Sequence, residues 1–529
     1  MKKLIRSLVS ALLALTLLCC GLPARAATPD AITIAATSNL SSLNPLLIDA
    51  TEVMKYALSL TFLPLVETSR DLTFVPQLAE SITTEDNLHF TIRLRENAAW
   101  SDGTPVTSQD VLFTLLLLTS PEAGRAILSQ YLIAGTDDAG MLPSGATEME
   151  GVTIVDAKTL TVTVKWPTAL HTFENNFGRD LFTLPAHILG DIPRDQLLTH
   201  ECFRKPGVIS GPYFIQEADL NHYVRYRANE NYFLGVPKIP YINLNILTPA
   251  QLLAGLKTGE IDLVQQTMAS VLLEDYDAIR ALPNVTAVPG ALITNQSIFF
   301  NVENVPDVRI RRALLLGIPR ELILSELLGG SGEIVDAFLC TASEYASPEL
   351  GVTAYDPETA AQLIAGAKAD GAKTELVWYC NSGDTTFVSA VELIAALMEE
   401  LGLRIAIRTV DLDSLMAVAG EGSFDVMSVQ YTYAPMDPYT DMVWLLSADG
   451  WTRYANPAVD AAFAVTQESS DPETVRAAYL AINQQVVADC PMISAYIVSP
   501  MGAVSNRLLN AMPDVYGTFV NVHEWEIAE

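Results

Sequence analysis

Leu88, Phe90, Ile92 and Leu94 alternate with His89, Thr91, Arg93 and Arg95, a period of two that predicts a strand with one buried face. The same alternation returns at Leu160, Val162, Val164 and Trp166. Between them, Ser101-Asp102-Gly103-Thr104-Pro105 has the composition of a turn. Thr107 with Asp110 three residues later predicts a capped helix start, the hydroxyl accepting an early backbone N–H. Near the amino end, Ile32-Thr33-Ile34 reads as a strand closed by the polar Thr37-Ser38-Asn39. The carboxyl half changes rhythm. Asp356-Pro357-Glu358 supplies a cap, a first-turn proline and a first-turn acid. Leu376-Val377-Trp378-Tyr379 reads as a strand, residues 387–401 as a helix stopped by Gly402, and Leu403, Ile405 and Ile407 as the next strand. Strand, helix and strand with short joints predict a βαβ unit and a largely parallel sheet, with ligands expected near loops such as 381–384.

The first twenty-six residues follow another logic. Lys2, Lys3 and Arg6 precede a mostly apolar run over residues 8–20, and Pro23-Ala24-Arg25-Ala26 sets small residues before Ala27. This predicts a secretory signal peptide, since such a run spans only about 20 Å as a helix and is too short for a membrane span. Cleavage before Ala27 is one reading. The other is lipid attachment at Cys20 within Leu17-Leu18-Cys19-Cys20-Gly21, and either one exports the protein to the periplasm, the exterior or the cell surface.

At 529 residues the chain is long enough for about three domains. Half of it is apolar and 18% charged, which excludes a disordered or fibrous protein. The net charge of −31 excludes a nucleic-acid partner, because such binding rests on lysine and arginine neutralising phosphates. Removing the leader deletes Lys2, Lys3, Arg6 and Arg25 and no acid, so the mature chain is more acidic still. Cys202, Cys340, Cys380 and Cys490 are scattered without a C-x-x-C, leaving both a disulfide and buried free thiols open.

Enzymatic constellations are missing. The six histidines show no ligand-like pairing, and no phosphate-cradling loop occurs. Gly329-Gly330-Ser331-Gly332-Glu333 lacks the final glycine of a nucleophile elbow and reads as a turn. No enzyme, metal or cofactor is expected. A binding function is suggested by Val429-Gln430-Tyr431-Thr432-Tyr433-Ala434-Pro435-Met436-Asp437-Pro438-Tyr439, which gathers aromatic rings and turn formers. Core tyrosines beside a loop explain the same composition equally well.

One set of motifs is specific. Residues 90–107 (FTIRLRENAAWSDGTPVT) closely resemble the signature of extracellular solute-binding proteins of family 5, the oligopeptide-, dipeptide- and nickel-binding receptors of ABC importers. Pro76-Gln77-Leu78-Ala79-Glu80 precedes it, and Gly211-Pro212-Tyr213, Asn229-Glu230-Asn231-Tyr232-Phe233, Leu256-Lys257-Thr258-Gly259-Glu260-Ile261-Asp262 and Asp307-Val308-Arg309-Ile310-Arg311-Arg312-Ala313 follow in the family's order. The resemblance implies an α/β, two-lobed periplasmic-binding-protein-like (type II) fold with an additional inserted domain. Domain I would comprise 27–66, 196–300 and 505–529, domain II 67–195 and domain III 301–504. It implies a monomer that closes like a hinge on a small peptide or other solute and presents it to membrane permease and ATPase subunits.

The resemblance also implies cleft positions: Ser38 and Asn39, then Trp378, Tyr379 and Asn381, then Tyr431, Tyr433 and Asp437, with the two tyrosines stacking on the ligand. Peptide-binding relatives pair the peptide amine with an aspartate three residues before the Asp-Pro acidic position. Here that residue is Ala434, and Asp437 and Asp441 are the candidates to replace it. A non-peptide ligand, such as a metal chelate, an opine or a glycan fragment, is the alternative. The Gly317-Ile318-Pro319-Arg320 variant of the family's A-I-D-R is expected to affect only the scaffold.

Overall fold

A computed structural model describes residues 30–48, 51–122, 133–328, 330 and 332–528. The leader with its Cys20 and Ala27 alternatives lies outside these residues, as do Gly329 and Ser331.

The alternating segments fold as they read. His89–Leu94 buries every second side chain, and Thr159–Thr163 does the same beside it in antiparallel register. Both belong to a four-stranded sheet with Ala79–Thr84 and Val152–Ile154 on its flanks. The second alternation ends early, leaving Trp166 44% exposed. Thr107 and Asp110 form the expected capping box at the start of the helix Ser108–Leu118. A seven-stranded mixed sheet lies next to this unit, ordered Val285–Pro289, Met501–Ser505, Leu263–Val264, Ala31–Ala36, Tyr241–Ile246, Tyr223–Ala228 and Tyr213–Asp219. One continuous apolar core, from Ile32 through Phe90 and Leu160 to Trp525, welds the two sheets into a single lobe.

The second lobe is built on five strands, ordered Arg404–Val410, Glu375–Asn381, Val426–Thr432, Thr294–Phe300 and Met492–Val498. The first three run parallel. The helix Thr385–Leu401 connects two of them and ends at Gly402, whose φ of 99° favours glycine. Two apolar cores lie on opposite faces of this sheet, one around Trp378 and Ile394 and the other around Phe338 and Tyr479.

The sheets move two expected boundaries. Thr294–Phe300, assigned to domain I by a break at 300/301, pairs with both neighbours inside the second lobe. Met501–Ser505, placed largely in domain III by a break at 504/505, pairs within the first lobe. Strands buried on both faces carry no polarity signal of their partner. The chain therefore crosses between lobes at 290–293 and 499–500. Gly290 donates its N–H to the Pro500 carbonyl at 2.9 Å there, and a Cβ at Gly290 would meet Val515 at 2.7 Å. Arg320 is buried and paired with Asp336, so the departure at 317–320 sits in the scaffold. Among the described residues Cys202, Cys340, Cys380 and Cys490 are free thiols, the last three buried. No helix among the described residues is long and apolar enough to cross a membrane.

Candidate functional site

A cleft of about 840 Å³ opens between the lobes, lined among others by Pro500 of the crossover and its neighbours Val498 and Met501. That volume falls within the ~300–1,000 Å³ of small-ligand sites.

The first lobe supplies charge. The helix Glu52–Ser59 presents Glu52 and Lys55 one turn apart. Opposite them, the π-helical turn Glu174–Gly178 delivers Asn175, Asn176 and Arg179, an irregularity common where function needs a side chain re-aimed. Lys55 Nζ lies 2.7 Å from Asp180 and 3.8 Å from Glu52. Arg179 reaches Glu67 at 2.7 Å and Glu52 at 3.1 Å, with its guanidinium 5.1 Å from the Tyr516 ring centroid. Burial alone would raise the Glu52 carboxyl, yet Arg179 and Lys55 together hold it below its ordinary value. Likewise, burial pulls the Lys55 ammonium down, and Asp180 with Glu52 more than reverses this. These charges are already matched.

The second lobe supplies aromatic surface and one unmatched acid. Tyr431 stands near the end of Val426–Thr432, with the Tyr433 ring 5.3 Å away and the Trp451 ring 6.3 Å away. Trp444 meets Trp451 edge to face at 4.5 Å and is 45% exposed. Asp441, in the first turn of the helix Pro438–Leu445, accepts the Tyr431 hydroxyl at 2.8 Å and the Ala434 N–H at 3.0 Å. Among the described residues no cation pairs with it. Burial pushes its carboxyl up to about 6, against the pull of those two hydrogen bonds.

Of the eight expected ligand positions, only Tyr431 lines the cleft. Ser38 and Asn39 are exposed outside it. Trp378 is wholly buried, its indole N–H bonded to Ser428 at 3.1 Å, because its strand faces the lobe core. Tyr379 packs in the opposite core. Asn381 accepts the Gly383 N–H on its side-chain oxygen, and Asp384 caps its own helix, so neither side chain lines the cleft. Tyr433 lies beneath Tyr431, bonded to Asn295 at 3.0 Å and Ser297 at 3.1 Å. Asp437 has no exposed surface and binds protein groups alone.

The reading from sequence did not single out Lys55, Arg179, Trp444 or Trp451. Scarcity was the available signal for the first two, since 31 basic residues stand among 62 acidic ones and a buried cation is costly to keep. No three His, Cys, Asp or Glu side chains converge as a metal site among the described residues.

The sequence profile described as bacterial extracellular solute-binding proteins, family 5 middle, matches residues 73–453. The nickel-binding periplasmic protein of Escherichia coli (strain K12) is 25% identical over 441 residues, covering 80% of this chain and 79% of that one. Among solved structures, the oligopeptide-binding protein AppA of Bacillus subtilis, in complex with a nonapeptide, superposes with a TM-score of 0.76 at 21% identity, covering 94% and 99% of the two chains. NikZ of Campylobacter jejuni, in complex with Ni(L-His), does so with a TM-score of 0.75 at 20% identity, covering 94% and 100%.

Proposed function

The chain belongs to the bacterial extracellular solute-binding proteins of family 5, the substrate-binding components of ABC transporters, and from that premise we propose that it captures a compact, amine-bearing, peptide-like solute in the interlobe cleft. The exported receptor, released by cleavage before Ala27 or anchored through Cys20, then hands this solute to a membrane permease driven by its ATPase.

Asp441 carries the reading. It is a cleft carboxylate with two hydrogen-bond donors and no cation partner, beside the backbone of Ala434. A half-buried acid held up at about 6 gains a partner when an ammonium group enters, and that contact ionises it fully. The carboxylate that relatives carry at the Ala434 position is thus supplied by Asp441, seven residues further on in the first turn of the helix Pro438–Leu445. Tyr431, Trp444 and Trp451 offer apolar faces to the rest of the solute. The first lobe's own charges are internally paired, so the reading assigns no ligand charge to them.

Mass spectrometry of solute co-purified under native conditions tests the class. A mixture of short peptides supports the proposal, whereas a single non-peptide mass without an amine replaces it with a chelate, opine or glycan receptor. Calorimetry with trialanine and N-acetyl-trialanine tests the anchor. The free amine should bind at least tenfold tighter, and equal affinities would refute the role of Asp441.

A further inference from the structure

Asp437 occupies the N-cap of the helix Pro438–Leu445, yet its side chain makes no capping bond to that helix's backbone. The other N-cap aspartates of the second lobe, Asp307, Asp356, Asp384, Asp411 and Asp471, each accept an N–H of their own helix, the ordinary use of this position. The Asp437 carboxylate turns instead across the gap between lobes. It accepts the Thr172 hydroxyl at 2.7 Å, the Asn175 amide at 3.0 Å and the Asn176 amide at 3.4 Å, all from the first lobe. Thr440 of its own helix adds a fourth donor at 2.8 Å, and His171 Nε2 stands 3.9 Å away. Asn176 also donates to Thr440 at 2.7 Å.

A second grip lies nearby. Gln467, 4% exposed on the helix Pro457–Glu468, accepts the Ala169 N–H on its side-chain oxygen at 3.0 Å. Its backbone carbonyl accepts the Asn87 amide at 2.9 Å. Every first-lobe group in both grips comes from the segment carrying the four-stranded sheet, and none comes from the seven-stranded sheet.

We infer that Asp437 is a closure latch: a positioning residue through which the four-stranded-sheet domain holds the second lobe shut before any solute arrives. A carboxylate with no exposed surface is costly to bury unless donors replace its water. Three of its four hydrogen-bond donors reach it only while the lobes touch. Closure therefore exchanges water for protein donors at nearly balanced free energy, giving a latch weak enough to release. The same bonds fix Asn175 and Asn176, which also line the cleft, so latch and ligand site share a wall. The inference rests on the hinged-receptor reading and is independent of which solute binds.

Double electron–electron resonance between spin labels at the exposed positions Glu148→Cys and Glu392→Cys reports the lobe separation without a ligand. The protein is first unfolded and refolded to strip bound solute. The Asp437 background should show a closed population that falls about fivefold or more in Asp437→Asn, given three cross-lobe bonds of ordinary strength. Thr172→Val should lower it less. The double variant should show non-additivity, which independent roles within each lobe would not produce. No closed population without ligand, or distributions unchanged by Asp437→Asn, overturns the latch. Failure to bind trialanine would overturn the solute reading and leave this result standing.

Discussion

On the first lobe's side of the cleft, Lys55 and Arg179 each meet carboxylates at 2.7 Å, whereas on the second lobe's side Asp441 meets only a hydroxyl and a backbone N–H. The first wall is a finished network, and its worth is rigidity and shape. The second holds a charge that protein groups leave unmatched, beside three aromatic rings. A hinged receptor gains from this division. On the proposed reading, one lobe presents a fixed template, and the other supplies the contacts by which a solute adds to closure.

The largest effect that can break this contrast is at Arg179. Replacing it with methionine strands Glu67 without its cation, leaves Glu52 only Lys55 at 3.8 Å, and should cost about 3–5 kcal/mol in urea denaturation. A variant of unchanged stability with lost affinity would mean that the first wall, too, is spent on the ligand. Next comes Asp441→Asn, for which trialanine affinity should fall about 10- to 100-fold, roughly 1.4–3 kcal/mol, by calorimetry. Stability above pH 7 should hold or rise, because burial opposes this charge.

The pH dependence sharpens the contrast further. A carboxyl raised to about 6 stabilises the free protein fully below its unfolded pKa near 4, and that contribution is lost as pH climbs through 6. Binding of an ammonium needs the ionised form and runs the other way. Affinity for trialanine should therefore weaken about tenfold from pH 7.5 to 5, and Asp441→Asn should flatten the profile. The smallest expected change is Trp444→Ala, which trims an exposed ring and should weaken trialanine by about 3- to 10-fold with unfolding midpoints unmoved.

Local signals made much of the scaffold readable. The alternation at 88–94, the Thr107 box and the Asp356-Pro357 start each depend on neighbours a few residues away, and each forms as written. The site was less legible. Trp378 and Tyr433 have the composition of ligand contacts, yet the direction in which a strand residue points hides Trp378, and the chain just past Val426–Thr432 tucks Tyr433 into the opposite core. Asp437 looked like a contact for a solute and is instead matched by donors more than 260 residues away in the chain.

Sequence alone determined the family, the α/β elements and the chemical inventory, because motifs, periodicity and caps are written in contiguous residues. Which lobe owns Thr294–Phe300, which acid faces the cleft and which fastens the lobes were decided only by the tertiary structure. The physical reason is that a side chain's charge and burial depend on what folding brings against it, and for Arg179, Asp437 and Asp441 much of that comes from distant chain or from depth in the fold.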